Sequence, residues 1–356
     1  MIILNKLKKL GERFVSHRSC TDAIASSSAT EKEEKKTAEV PSPNAFVIEL
    51  TNNCNIRCSM CNFHSPDVLR NRSKGFMQTA TARRLLDEIA CLTPDGRPWV
   101  TLHGAGEPLL HRDLPVILAH GSSLNLDIGF LTNAVLLKPE MTERILDTAV
   151  SWIGFSIDGI DREKFNKYRC GADYDVVVGN ALHFIDRTRQ RGHAVKIRVN
   201  MTVQDEMKPD VRDFVKFWID KADEVMVSPM RPIGSRDNAL AREMPAMGRV
   251  PCYMLTSMLV IFWNGEVGLC CEDWFNDGKM GDIHGSSLKE IWNGDRFREF
   301  RSLDAAGRQA EIPLCGDCNS WYNAIPVITY DEDLACTVRK TAWQYSYKRE
   351  EKNKPS

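Results

Sequence analysis

Short apolar, β-branched runs recur along the chain at Phe46–Leu50, Trp99–His103, Leu126–Thr132, Trp152–Ile157, Val195–Met201 and Glu224–Ser228. Runs of this length and composition predict strands. The stretches between them change period. In Met77–Leu92, Leu85, Ile89 and Leu92 fall at i, i+4 and i+7 and so share one face of a helix. Met141–Val150, Val176–Arg191 and Pro209–Lys221 repeat the pattern. Six strands alternating with helices predict an α/β fold built on a parallel sheet with crossover helices. Eight units close a full barrel, so six predict a partial (β/α)6 TIM barrel, open on one side, with its chemistry at the C-terminal ends of the strands. After about Arg231 the strands shorten, turns multiply and cysteines reappear, which predicts a second, smaller module.

The expected organisation is an N-terminal extension over 1–44, the barrel over 45–235, the small module over 250–345 and a polar tail over 346–356. The extension starts with a basic amphipathic stretch, Leu4 to Leu10. It continues through Ser26–Ser28, a Glu/Lys run, Pro41 and Pro43 with no aromatic residue between 24 and 44, a composition that cannot bury a core and predicts disorder.

Charge and composition narrow the partners. Lys plus Arg number 47 against 48 Asp plus Glu, a net charge of −1, so no electrostatic footprint for nucleic acid is present. The longest apolar run, Tyr253 to Trp263, is interrupted by Thr256 and Ser257 and is far short of the ~18 residues of a membrane span. Met1 to Leu4, followed by Lys6, Lys8 and Lys9, lacks the apolar core of a secretion signal, so a cytoplasmic, reducing location is expected. Twelve cysteines in such a compartment read as metal ligands rather than as disulfides.

Three of them follow the first strand as Cys54-Asn55-Ile56-Arg57-Cys58-Ser59-Met60-Cys61. Three thiolates so spaced can hold three irons of a 4Fe–4S cube and leave the fourth open to a ligand. Zinc is the alternative, with His64 as a fourth ligand by spacing. This C-x3-C-x2-C loop after strand one resembles the radical S-adenosylmethionine (radical SAM) superfamily over about residues 45–230. The resemblance implies a cluster that binds S-adenosylmethionine (SAM) and cleaves it to methionine and a 5′-deoxyadenosyl radical, which takes a hydrogen atom from a C–H bond of the substrate. It implies a one-electron reductant such as flavodoxin or ferredoxin as partner.

Further segments fit that resemblance. His103-Gly104-Ala105-Gly106-Glu107-Pro108 resembles the family's G-G-E-P segment, with Ala105 in place of one glycine. Glycine permits close backbone approach to a ligand, and a carboxylate there accepts from the methionine ammonium. Ser156-Ile157-Asp158-Gly159 resembles the S-(I/L)-D-G segment, which makes Ser156 and Asp158 candidates for SAM. Arg198 and Asn200 share one strand face and are candidates for SAM or substrate, or for a salt bridge in the barrel wall. Met60 stands where the family usually has an aromatic residue, with Phe63 two beyond the third cysteine.

In the C-terminal module, Cys252, Cys270, Cys315 and Cys318 resemble the ligands of the auxiliary-cluster extensions called SPASM and twitch. A hairpin turn at Asn264-Gly265 would bring Cys252 near Cys270, and C-x2-C would complete a four-thiolate site. A zinc ribbon is the alternative. No cysteine follows between Ser320 and Thr329, so the shorter twitch arrangement, with one auxiliary 4Fe–4S cluster, fits best. Cys271 is a candidate hydrogen-atom donor or a buried thiol; Cys336 a spare thiol or substitute ligand; Cys20, Cys91 and Cys170 have no partners at ligand spacing. The ligand spacing resembles that of 2-deoxy-scyllo-inosamine dehydrogenases, which oxidise an aminocyclitol alcohol to a ketone. The resemblance therefore implies dehydrogenation or epimerisation of a carbohydrate- or aminocyclitol-like small molecule. A peptide maturase and a non-catalytic iron–sulfur or zinc protein are the alternatives. Arg231, in the bridge Ser228 to Arg249, is a candidate for binding an anion.

Overall fold

Alternation of apolar and small residues sets the inner layer. β1 (Ala45–Ile48), β2 (Trp99–Leu102), β3 (Asp127–Thr132), β4 (Trp152–Ser156), β5 (Lys196–Val203) and β6 (Glu224–Pro229) form where the pattern predicts strands, and they pair in parallel in chain order. Phe46 lies opposite Val100, which lies opposite Ile128. The structure, a computed structural model, describes residues 40–64, 72–231, 239–244, 246 and 248–349. Most of the expected N-terminal extension, much of the Ser228–Arg249 bridge and Cys20 lie outside the described residues.

Each crossover carries helix. α1 (Thr79–Leu92) joins β1 to β2, α2 (Leu114–Ser123) β2 to β3, and α3 (Pro139–Leu146) β3 to β4. α4 (Arg162–Tyr168) and α5 (Tyr174–Gln190) join β4 to β5, and α6 (Val211–Trp218) joins β5 to β6. In α1 the predicted face is the buried one, with Ala82, Leu85, Leu86 and Ile89 against the sheet. In α5, Ala181, Phe184 and Ile185 do the same. Asp161 and Asp173 cap α4 and α5 by accepting from the backbone N–H three residues on. Two of these crossover helices were not predicted: α2 carries Pro115 at its second position and ends in Gly121-Ser122-Ser123, and α4 has only seven residues, so the helical signal of each is weak.

The sheet grows at both edges. After α7 (Met254–Ser257), β7 (Met258–Ile261) pairs in parallel with β1, and the chain turns at Asn264-Gly265 into β8 (Glu266–Gly268), which pairs with β9 (Gly281–Asp282). Gly265 sits at φ +87°, the left-handed conformation that glycine adopts freely, as the expected hairpin requires. α8 (Leu288–Trp292) and α9 (Asp295–Ala305) follow. At the other edge β10 (Val327–Asp331), β11 (Cys336–Lys340) and β12 (Tyr345–Lys348) form an antiparallel meander on β6. The expected polar tail is therefore corrected at its start. Residues 346–348 are strand, because Ser346 faces inward and donates to buried Glu224, while 350–356 lie outside the described residues.

Candidate functional site

Polar side chains gather at the C-terminal ends of the strands, around a cavity of about 600 Å³. That volume lies within the ~300–1,000 Å³ of small-molecule sites. Cys54, Cys58 and Cys61 line it, as do Gly104, Gly106 and Glu107 from the loop after β2, Ser156 from β4 and Asn200 from β5. Met60 and Phe63 line it too, and the Phe63 ring meets Trp274 edge-on at 6.1 Å. The floor is aromatic. Trp99 and Trp152 stack at 4.5 Å, and the Arg198 guanidinium lies 4.4 Å over Trp99 while pairing with Glu224 at 2.8 Å. Arg198 forms the salt bridge expected in the wall, and it also lines the cavity.

The cysteine loop is held from two sides. Arg57 N–H donates to the Cys170 carbonyl (2.8 Å) and Ser59 N–H to that of Tyr168 (2.9 Å), which ties the loop to the end of α4. Glu107 N–H donates to the Asn53 carbonyl at 2.8 Å on the other side. Gly106 has no room for a side chain because a Cβ there would run into the carbonyl oxygens of Thr51 and Asn53. At Gly104 a Cβ would strike Glu49, whose carboxylate accepts from Ala105 N–H (2.9 Å) and pairs with Arg72. These glycines let the β2 loop pack on the cysteine loop; the close approach is to the chain's own backbone.

Glu107 is buried. It accepts from Thr132 Oγ1 (2.8 Å), Leu109 N–H (3.0 Å) and Asn133 N–H (2.8 Å), and burial pushes its carboxyl above the usual range against those bonds. Asp158 corrects an expectation. Its carboxylate is fully buried, paired with Arg169 Nε at 2.7 Å and accepting from Thr202 N–H at 2.7 Å, and it does not line the cavity. Arg169 does, with its charge beside Cys58. Sequence reasoning missed Arg169, Asn133 and His103. Asn133 Nδ2 reaches Asn55 (2.9 Å) and Cys54 Sγ (3.7 Å), and its place just past β3 was a signal. His103 lines the cavity with its Nδ1 buried and without a partner among the described residues, and burial lowers its ring to about 4, so it is neutral. Arg169 closes a short helix and carries no periodic signal.

The three thiols suit a cluster. Burial raises Cys54 and takes Cys58 to about 12, so as thiolates they need a cationic core to balance them. His64 does not line the cavity, and among the described residues no three Cys, His, Asp or Glu side chains converge on a single metal ion.

A second, small cavity of about 20 Å³ is ringed by Cys252, Cys270, Cys315 and Cys318, with Arg249 and Trp321 in its wall. Burial drives Cys252 to about 11, Cys315 to about 12 and Cys270 well above its ordinary value. Three thiols so desolvated again call for a cationic core. Cys270 lines both cavities. Cys271 lines the large one, with burial and Glu272 raising its pKa so that it keeps its hydrogen, and Arg231 pairs with Glu272 at 2.7 Å. Cys336 lies in β11 opposite Asp331 and lines neither cavity. Cys91 is exposed on α1, and Cys170 is exposed beside the cysteine loop.

Comparison with known proteins finds matches in two separate stretches of the chain. A model of the radical SAM superfamily matches residues 48–217, and one of the SPASM iron–sulfur cluster-binding domain matches 252–319. The AdoMet-dependent heme synthase of Methanosarcina barkeri (strain Fusaro / DSM 804) is 32% identical over 127 residues, 36% of this chain and 34% of that protein, so the match spans well under two thirds of that relative. The S-adenosyl-L-methionine-dependent 2-deoxy-scyllo-inosamine dehydrogenase of Niallia circulans is 22% identical over 283 residues, 77% of this chain and 91% of that one. Among solved structures, Streptococcus suis SuiB bound to precursor peptide SuiA has a TM-score of 0.59 at 15% identity, covering 84% of this chain and 79% of that one, a likeness of fold. No helix among the described residues is long and apolar enough to cross a membrane.

Proposed function

The chain belongs to the radical SAM superfamily and carries a C-terminal SPASM-type iron–sulfur domain, and from that premise we propose that it dehydrogenates a carbohydrate- or aminocyclitol-like small molecule. Its cofactors are two 4Fe–4S clusters and SAM. Bound there, the first cluster and SAM supply the hydrogen-abstracting radical, and the second cluster supplies an acceptor for the substrate's remaining electron. Cys54, Cys58 and Cys61 hold the first cluster in the barrel, 45–235, and Cys252, Cys270, Cys315 and Cys318 the second in the module 250–345.

One observation carries this reading: Cys270 walls off the small four-thiol cavity and also lines the large cavity that Cys54, Cys58 and Cys61 line. A substrate in the large cavity therefore sits between the two thiol sets. Glu107, Ser156 and Asn200 orient SAM at the strand ends, Gly104 and Gly106 seat the loop that carries Glu107 against the cysteine loop, and Arg169 takes the place expected for Asp158. The Trp99–Trp152 floor keeps water out from below. Neutral His103 offers a ring nitrogen to a substrate hydroxyl. The electron partner is a flavodoxin- or ferredoxin-like protein.

A second reading, epimerisation, is favoured by Cys271, which lines the same cavity and retains its S–H. The anaerobically reconstituted enzyme, given SAM, dithionite and 2-deoxy-scyllo-inosamine in deuterated water, separates the two. A ketone product supports dehydrogenation, and solvent deuterium at an inverted carbon supports epimerisation. Turnover of neither this probe nor other cyclitols, with turnover of a peptide, would contradict the small-molecule reading.

A further inference from the structure

Arg249 stands against the four-thiol cavity with its hydrogen-bonding capacity only partly used. Its Nη1 donates to the Cys318 carbonyl at 2.9 Å, and its Nη2 approaches Asp304 Oδ1 at 3.4 Å. The other oxygen of Asp304 accepts from the Cys252 amide at 2.5 Å, and the Trp321 ring lies 5.7 Å from the guanidinium. Through these contacts one side chain is tied to the backbone at two of the four thiol positions. Its Nε is buried and has no partner among the described residues. Native structures rarely leave such a donor without an acceptor. In the wall of this cavity Glu272 is paired with Arg231 and the Ser320 hydroxyl accepts from Trp343 Nε1, which leaves the sulfur atoms of the cysteines as acceptors for it.

We propose that Arg249 is a positioning residue for the auxiliary cluster, holding its uncommitted Nε–H toward the cluster's sulfur and thereby making the cluster a better electron acceptor. The inference rests on the reading that Cys252, Cys270, Cys315 and Cys318 hold that cluster. Reduction adds negative charge. Hydrogen bonds to the sulfurs and nearby positive charge stabilise the reduced state, so both raise the potential. The other charged group in the wall, Glu272, is neutralised by Arg231, and Asp304 by Arg249 itself. Loss of Arg249 would remove a donor and also leave Asp304 uncompensated, and both effects push the potential down.

The test is an EPR-monitored redox titration of the full chain carrying Cys54→Ala, Cys58→Ala and Cys61→Ala, so that only the auxiliary signal remains. Arg249→Lys keeps the charge and loses the Nε–H. Arg249→Met combined with Asp304→Asn removes the ion pair while leaving an acceptor for the Cys252 amide. Both variants are expected to bind iron and sulfide as the background chain does. The double variant should titrate lower, with at least a tenfold rise in the oxidised-to-reduced ratio at the unmodified midpoint, which is 59 mV for a one-electron couple. The Lys variant, which loses the same donor, should titrate lower as well. Midpoints unchanged in both variants at full iron content would overturn the proposal and leave the cluster assignment standing. Loss of iron from both variants would also overturn it, since Arg249 would then be needed for assembly. A background chain holding no iron–sulfur cluster would instead remove the assignment, and the proposal with it.

Discussion

Substituting Gly106 by alanine tests whether the β2 loop is the template for the cysteine loop. An added Cβ would sit 2.9 Å from the Asn53 amide nitrogen and closer still to the carbonyl oxygens of Thr51 and Asn53, inside the 3.4 Å at which ordinary contact begins. All three atoms are backbone, so no side chain can swing away; the segment leading to Cys54 has to move. Overpacking of this kind costs about 1–3 kcal/mol. The displaced segment also strains the Glu107 N–H bond to the Asn53 carbonyl, a bond worth about 0.5–1.5 kcal/mol. Out of a total stability of ~5–15 kcal/mol the fold survives. Geometry suffers more, since a shift of about 1 Å in a positioned group costs on the order of 10²-fold in rate. The assay is 5′-deoxyadenosine formed per unit time under anaerobic dithionite, alongside iron content and denaturant unfolding. The expected outcome is a drop on the order of 10²-fold in SAM cleavage with the fold retained. Wild-type cleavage and iron loading in Gly106→Ala would refute the packing argument.

Three more outcomes follow from particular contacts. Asp158→Ala leaves the buried Arg169 without its partner and should cost about 3–5 kcal/mol in urea unfolding of the cluster-free chain; a loss under 1 kcal/mol would show that the pair is not holding the cavity wall. Glu143, which joins α3 to α5, is lowered from 4.5 to about 2 by hydrogen bonds from Arg187 and then Arg191. Its folded pKa is depressed, so its contribution is present above pH 4.5 and fades as the pH falls toward 2; Glu143→Gln should flatten the acid-side stability curve there, and an unchanged curve would contradict this. Cys271→Ser should leave ketone formation intact if the enzyme dehydrogenates and abolish solvent-deuterium incorporation if it epimerises, read by mass spectrometry of the product.

The core was the most legible part of the chain. Phe46, Phe130, Phe155 and their neighbours repeat with the strand period, and Leu85 and Ile89 with the helix period, because burial on one face forces that repetition. The turn at Gly265 was readable because its backbone conformation demands glycine. The edges were not. β7 joins β1 in parallel across some two hundred residues of chain, and local composition carries no information on which edge a distant strand will choose. β12 looked like tail because its alternation, Tyr345, Ser346, Tyr347, is brief and polar. In the site, the cysteines that line the two cavities announced themselves by spacing. Asp158 and Arg169 did not, since which of two paired residues faces a cavity depends on the path of α4. Gly106 was legible as a required glycine, though its reason, contact with Thr51 and Asn53, belongs to tertiary packing.

On the proposed reading, Cys54, Cys58 and Cys61 hold a cluster with one iron left for SAM. The most direct test of that reading is to purify the protein without oxygen, reconstitute it with iron and sulfide, and quantify 5′-deoxyadenosine after adding SAM and dithionite. Wild type should form it, Cys58→Ala should form none, and Cys315→Ala should still form some while losing the auxiliary iron. Tightly bound zinc with no iron–sulfur absorption, or equal cleavage by wild type and Cys58→Ala, would contradict the account.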